Sequence, residues 1–213
     1  MSPDRPVTPT VVGNVYDKYG TRNPVARLLM GGFLAAVSEL YLLVEPTTVL
    51  EVGTGEGRLA EHLLRSGARP RRFVATDLST ERVGRDIDPL IEVREASAYD
   101  LPFDDRSFDL VVCCEVLEHL DTPSRGLAEV ARVADRAVLI STPWEPAWRI
   151  LNLARGAYWG SLGNTPGHVQ HFSRRGLARL AAPHIVVSRV RRPLPWTVML
   201  GGPRGRDLSI KAP

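Results

Sequence analysis

Apolar residues along this chain follow two rhythms. Short unbroken runs alternate with longer stretches in which apolar positions recur every three or four residues. Runs of the first kind are buried strands, and stretches of the second kind are amphipathic helices. The strands predicted this way are TTVLEVG, RRFVATD, IEVREAS, FDLVVCC and RAVLIST, with HIVVSRVRR and WTVMLGG near the end. A helix is expected after Asn23-Pro24, with Val25, Leu28, Leu29, Phe33, Val37 and Leu40 on its apolar face. EGRLAEHLLRSG reads as a helix closing at Gly67, and ERVGRDIDPL as a helix or turn. Leu127, Val130, Ala131 and Val133 mark a helix between the fourth and fifth strands. Strands alternating with helices make a parallel sheet covered on both faces. The last two runs, parted by Pro193 and Pro195, lie too close for a crossover helix and should form an antiparallel edge hairpin. The expected fold is α/β: a seven-stranded, mostly parallel, doubly wound sheet.

At 213 residues this is one domain's worth of chain, long enough to bury a core. Within a single domain 1–213, residues 1–46 are expected as an N-terminal cap, 143–172 as a lid or acceptor region and 202–213 as a loose tail. MSPDRPVTPT has neither the basic nor the apolar stretch of a signal peptide. The apolar segment 25–44 is broken by Arg27, Ser38 and Glu39, so it reads as an amphipathic helix and not a transmembrane segment. Cys113 and Cys114 are adjacent in an apolar run, which does not suit a structural disulfide and points to the cytoplasm. The net charge of +3 conceals a gradient: nine cations against Asp207 from His168 onward make +8, leaving −5 elsewhere. That end is either a solvated surface with a tail or a face for an anionic partner: phosphate, acidic lipid or nucleic acid.

The chemistry begins at VLEVGTGEGRLAEHLL, where Gly53, Gly55 and Gly57 join a strand to a helix. Such a loop brings backbone close to a ligand at a helix N-terminus. A dinucleotide loop would place its last glycine where Arg58 stands, and there is no phosphate-binding GxxxxGK[ST]. Asp77, at the tip of the second strand, is placed to accept the hydroxyls of a ribose. REASAYDLPFDDRSFDLVV and CCEVLEHL follow in order. Together these motifs, over about residues 47–142, resemble the class I S-adenosylmethionine-dependent methyltransferases, which are Rossmann-like. The likeness is strongest to the small-molecule group that includes ubiquinone-pathway O-methyltransferases. The resemblance implies that Glu51, Gly53, Thr54, Gly55 and Gly57 surround the methionine part of the cofactor, that Asp77 binds its ribose, and that Leu78, Ala98 and Tyr99 flank adenine. Cys114 and Glu115 would lie under the sulfonium, and Tyr16 would either cover the cofactor or merely pack. Ser97 stands where the family carries an aspartate, so Glu95 or Asp100 could take over the adenine contact.

An acceptor must lose a proton to be methylated, by a base or by a metal that lowers its pKa. Glu115, Glu118 and His119 would share a helix face, and His168 and His171 follow in GHVQHFSRRGL. Three readings stand: a divalent cation held by Glu115, Glu118, His119 and His168; a metal-free base among His119, His168 and His171; or a helix start with a structural role. Trp144, Trp148, Tyr158 and Trp159 make 143–172 either a helix packed on the sheet or a lid with aromatic walls. The expected function is methylation, most readily O-methylation, of a small-molecule acceptor that is aromatic, lipophilic or anionic. An RNA methyltransferase, or a cofactor-binding protein without catalysis, are the alternatives.

Overall fold

The computed structural model describes residues 23–145, 147–154 and 169–206. Tyr16, Tyr158, Trp159 and His168 therefore lie outside the described residues.

Helix α1 (Pro24–Val44) is started by Asn23, whose Oδ1 accepts hydrogen bonds from the amides of Val25 and Ala26, with Pro24 in the first turn. Then come β1 (Thr48–Val52), α2 (Arg58–Arg65), β2 (Arg72–Asp77), β3 (Ile91–Glu95) and β4 (Phe108–Cys114). The chain continues through α3 (Pro123–Val133), β5 (Ala134–Pro143), α4 (Ala147–Ala154), α5 (Arg174–Ala181), β6 (Ile185–Arg191) and β7 (Trp196–Pro203). The strands form one seven-stranded sheet in the order β3-β2-β1-β4-β5-β7-β6. The first five are parallel, and β7 runs antiparallel to both β5 and β6. The sheet is thus the expected Rossmann-like, doubly wound one with an antiparallel edge hairpin.

Strand side chains alternate between two cores. Val49, Leu110, Val112 and Leu139 pack with α1 and α2 on one face. Leu50, Val111, Val138 and Ile140 pack with α3 and α5 on the other. Helix α1 is long and apolar enough to cross a membrane, but Phe33, Val37, Leu40, Tyr41 and Val44 are buried against the sheet. Val25 and Leu28, expected on that buried face, are instead 60% and 76% exposed, because the first turns of α1 extend past the sheet. At the other end β7 continues through Pro203, into the span expected as tail. Beyond it, the Arg204 amide donates to the His184 carbonyl at 2.8 Å.

The parallel strands place the ends of β1, β2, β4 and β5 on one carboxyl edge, the usual ligand edge of such sheets. Strand β7 runs the other way, so its first residue, Trp196, pairs with Pro143 on that same edge.

Candidate active site

The glycine loop fits its sequence closely. Gly53, Gly55 and Gly57 all have positive φ, at 77°, 57° and 78°. Such angles suit glycine because a Cβ clashes with the backbone there. The Thr76 carbonyl accepts from the Gly53 and Thr54 amides at 2.7 and 2.9 Å, locking the loop to β2. A Cβ on Gly53 would meet Val116 Cγ2 at 2.3 Å, and one on Gly57 would meet Ile87 Cδ1 at 2.6 Å. Gly55 differs: a Cβ there would meet nothing within 4 Å, so the loop opens at this residue. Arg58 is half exposed and lies near Glu56 and Glu61, so it does not crowd the helix–strand packing as the dinucleotide comparison suggested. Gly57 holds the close contact instead.

Asp77 accepts from the Gly55 amide through Oδ2 and from the Leu78 amide through Oδ1, both at 2.8 Å. A carboxylate offers about four acceptor positions, so this one can grip the loop and still take ligand hydroxyls. Leu78 beside it is 48% exposed, as an apolar wall awaiting a flat ring would be. Glu51 is buried under the loop and accepts from Thr54 Oγ1 at 2.6 Å. Burial pushes its carboxyl up to about 7; the Thr54 hydroxyl pulls it down and the Asp77 charge pushes it up again.

Past β3, Ser97 Oγ accepts from the Tyr99 amide at 3.2 Å, so the hydroxyl shapes its own turn. Tyr99 lies under Arg125 and accepts from the Thr122 amide at 3.1 Å, which ties it to the start of α3. Ala98 is buried, and Glu95 accepts from Thr80. These residues follow β3, and each polar one among them already makes a hydrogen bond within the protein.

CCEVLEHL is not the helix start that its spacing suggested. β4 ends at Cys114, Glu115 turns at φ 60°, and a single 3-10 turn covers Leu117–His119. Positive φ at a non-glycine residue is strained, and here it directs the Glu115 carboxylate across the edge. Its Oε1 accepts from Ser141 Oγ at 3.2 Å and its Oε2 from Trp196 Nε1 at 2.8 Å. Glu118 is buried, and its carbonyl accepts from the amides of Val169 and Gln170, both at 3.0 Å. That pair brings the His171 segment alongside the turn carrying His119. Among the described residues no three or more His, Cys, Asp or Glu side chains are placed to hold a metal ion. Glu115, Glu118 and His119 therefore do not form a cation site between them. Burial pushes the Cys113 thiol up to about 12 and the Cys114 thiol well above its usual value, so both are packing residues and not nucleophiles. His62 bonds Ser38 and His184 bonds Ser124, each at 2.9 Å, away from this edge.

Sequence reasoning missed Trp196. Its ring lies 5.0 Å from Phe33 and 5.5 Å from Trp148, and its indole N–H holds Glu115. An apolar residue opening an antiparallel strand carries no motif; only the reversed direction of β7 shows that it reaches the ligand edge.

Residues 50–140 match the family model for a methyltransferase domain. The chain is 36% identical over 99 residues to a probable S-adenosylmethionine-dependent methyltransferase of Mycobacterium tuberculosis, covering 45% of this chain and 35% of that protein. It is 36% identical over 92 residues to the ubiquinone biosynthesis O-methyltransferase of Xanthomonas oryzae pv. oryzae, covering 40% and 37%. The chain thus spans little more than a third of the length of these curated relatives. Magnesium protoporphyrin IX methyltransferase from Synechocystis PCC 6803, solved with bound SAH, shares the fold at a TM-score of 0.62 and 16% identity, over 91% of this chain and 90% of that one.

Proposed function

Given that the chain belongs to the class I S-adenosylmethionine-dependent methyltransferases, we propose that it moves the cofactor's methyl group to a hydroxyl of a small-molecule acceptor. The observation that carries this reading is the loop between β1 and α2. It is closed at Gly53 and Gly57 by side chains, open at Gly55, and gripped by the same Asp77 that faces a ribose in the resembling family.

S-adenosylmethionine brings an already electrophilic methyl group, so what this chain must supply is position and charge. Gly55 leaves room for the ligand backbone, Asp77 holds the sugar, and Leu78 offers its face to the base. Glu51 lies beneath, ready to ionise when a cation approaches, since its carboxyl is balanced near neutrality. Glu115, held by Ser141 and Trp196, keeps a negative charge at the end of β4 where a positive sulfur would stand. His119 and His171, brought near each other by the contacts to Glu118, are our candidates for taking the acceptor's proton. Trp148, half-buried where it packs on the core rings of Phe33 and Trp196, offers an aromatic face to an acceptor with an apolar ring. Two free, buried cysteines accord with a cytoplasmic setting.

The test is a screen of metabolite fractions with isotope-labelled S-adenosylmethionine, followed by chelation on any acceptor found. Label transfer that survives exhaustive EDTA and falls in His119→Ala or His171→Ala supports the base; label found only in RNA overturns the small-molecule reading.

A further inference from the structure

Several arginines of this chain are tied to carboxylates, and among the described residues Arg174 is not. Arg132 bonds Glu129 and Asp105, Arg191 bonds Glu39, and Arg69 bonds Asp88. Arg174 has no ion pair among the described residues, although Glu145 follows its stacking partner directly in sequence. Its guanidinium lies over the Trp144 ring, 3.9 Å from the centroid, and its Nε is buried without a hydrogen-bond partner. Both residues are held from behind. Trp144 donates its amide to the Pro195 carbonyl at 2.7 Å, and Glu145 donates its amide to the Phe172 carbonyl at 3.1 Å. Ser173 caps α5 by accepting from the Gly176 amide, which fixes Arg174 as the first helical residue. Trp144 directly follows β5, on the carboxyl edge where Trp196 holds Glu115.

A guanidinium held over a ring leaves N–H groups of its planar fork available to an acceptor. That fork matches the two oxygens of a carboxylate or phosphate. Stacking also fixes the side chain beforehand, so little rotamer entropy is left to lose on binding. The surplus of positive charge toward the end of the sequence thereby gains one specific, positioned member.

We propose that Arg174, laid on Trp144, is an oxyanion site for the methyl acceptor: it takes a carboxylate or phosphate carried by a ring-containing substrate. This rests on the methyltransferase reading for the word acceptor, but not for the anion site itself.

The experiment is ligand-observed NMR titration of the full chain with benzoate, phenyl phosphate and phenol, with thermal melting and S-adenosylmethionine calorimetry on every variant. The expected result is that the two anions bind more tightly than phenol. Arg174→Gln weakens the anions at least about tenfold, a typical loss for a charge-assisted pair, leaves phenol unchanged and keeps cofactor affinity. Arg174→Lys keeps part of the affinity. Trp144→Leu, which removes the platform and leaves the charge, also weakens the anions and decides the matter if Arg174→Gln does not fold. A preference for phenyl phosphate over benzoate marks a phosphorylated acceptor, and the reverse a carboxylated one. Anion binding that is equal in parent, Arg174→Gln and Trp144→Leu overturns the proposal, as does parent protein that binds phenol as tightly as benzoate and phenyl phosphate. Failure of the parent to bind S-adenosylmethionine overturns the methyltransferase reading alone.

Discussion

At the ends of β1 and β2 the side-chain contacts are short in sequence. Thr54 holds Glu51 three residues away, and Gly55 holds Asp77 22 residues away. At the ends of β4 and β5 one contact stays between neighbouring parallel strands and the other leaves them for β7. Glu115 reaches Ser141 across 26 residues and Trp196 across 81, and the ring of Trp196 packs on Phe33 from the first helix. Both halves share one sheet edge. The first is written mostly into a loop and the strand after it, with Val116 beyond β4 closing it at Gly53. The second exists only once the antiparallel hairpin has closed against β5. The two halves should therefore be separable by mutation, the first governing the adenosine and methionine parts of the cofactor and the second the sulfonium end and the acceptor.

The largest effect is expected within the loop. Gly53→Ala combines the φ penalty with a methyl 2.3 Å from Val116, so it should destabilise the fold by about 4 kcal/mol. Gly55→Ala carries the φ penalty alone, about 1 kcal/mol, yet should weaken S-adenosylmethionine more than tenfold by filling the opening. Thermal melting with calorimetry checks both, and a Gly55→Ala that binds cofactor normally would place the ligand elsewhere.

Next comes Glu51. Its carboxyl is raised from 4.5 to about 7 by burial. A raised folded value means that the stability it contributes is fully present below pH 4.5 and lost as pH rises through 7. Glu51→Gln should remove that loss, making the free protein more stable by about 3 kcal/mol at pH 8 and no different near pH 4.5. The same variant should bind S-adenosylmethionine less well, since a counter-charge is gone. Denaturant unfolding across pH measures the first and calorimetry the second; a stability difference from the parent that is the same at pH 4.5 and pH 8 would show that Glu51 is not held neutral.

Trp196→Phe sharpens the contrast from the other side. It keeps the ring and removes the indole donor to Glu115, with an expected cost of about 2 kcal/mol for a bond to a charged group. Cofactor affinity should fall less than in Gly55→Ala while methyl transfer falls; a cofactor loss as large as that of Gly55→Ala would mean that the halves are not separable. The smallest effect is Arg191→Ala, which breaks the exposed pair with Glu39 and should cost under about 1 kcal/mol, vanishing at high salt.

Much of this edge was legible in the sequence for the same reason that its halves differ. Strand runs bounded by glycines and a carboxylate at a strand tip are local signals, so the loop, Asp77 and the strands themselves could be read directly. CCEVLEHL could not. Its spacing fits a helix, but strand β4 uses Glu115 as a strained corner, and tertiary bonds to Ser141 and Trp196 override the local pattern. Val25 and Leu28 misled in another way: a helical apolar stripe shows which face is apolar, but not how far the sheet beneath it extends. Arg174 on Trp144 joins residues 30 positions apart, and no motif announces it.

The central claim is that this edge binds S-adenosylmethionine through Asp77 and the loop opened at Gly55. Calorimetry of the parent chain and Asp77→Ala against S-adenosylmethionine and NAD tests it most directly. The account predicts S-adenosylmethionine binding to the parent, weaker by about 1–3 kcal/mol in Asp77→Ala, with NAD bound more weakly or not at all. NAD bound more tightly than S-adenosylmethionine, or affinity indifferent to the loss of Asp77, would contradict it.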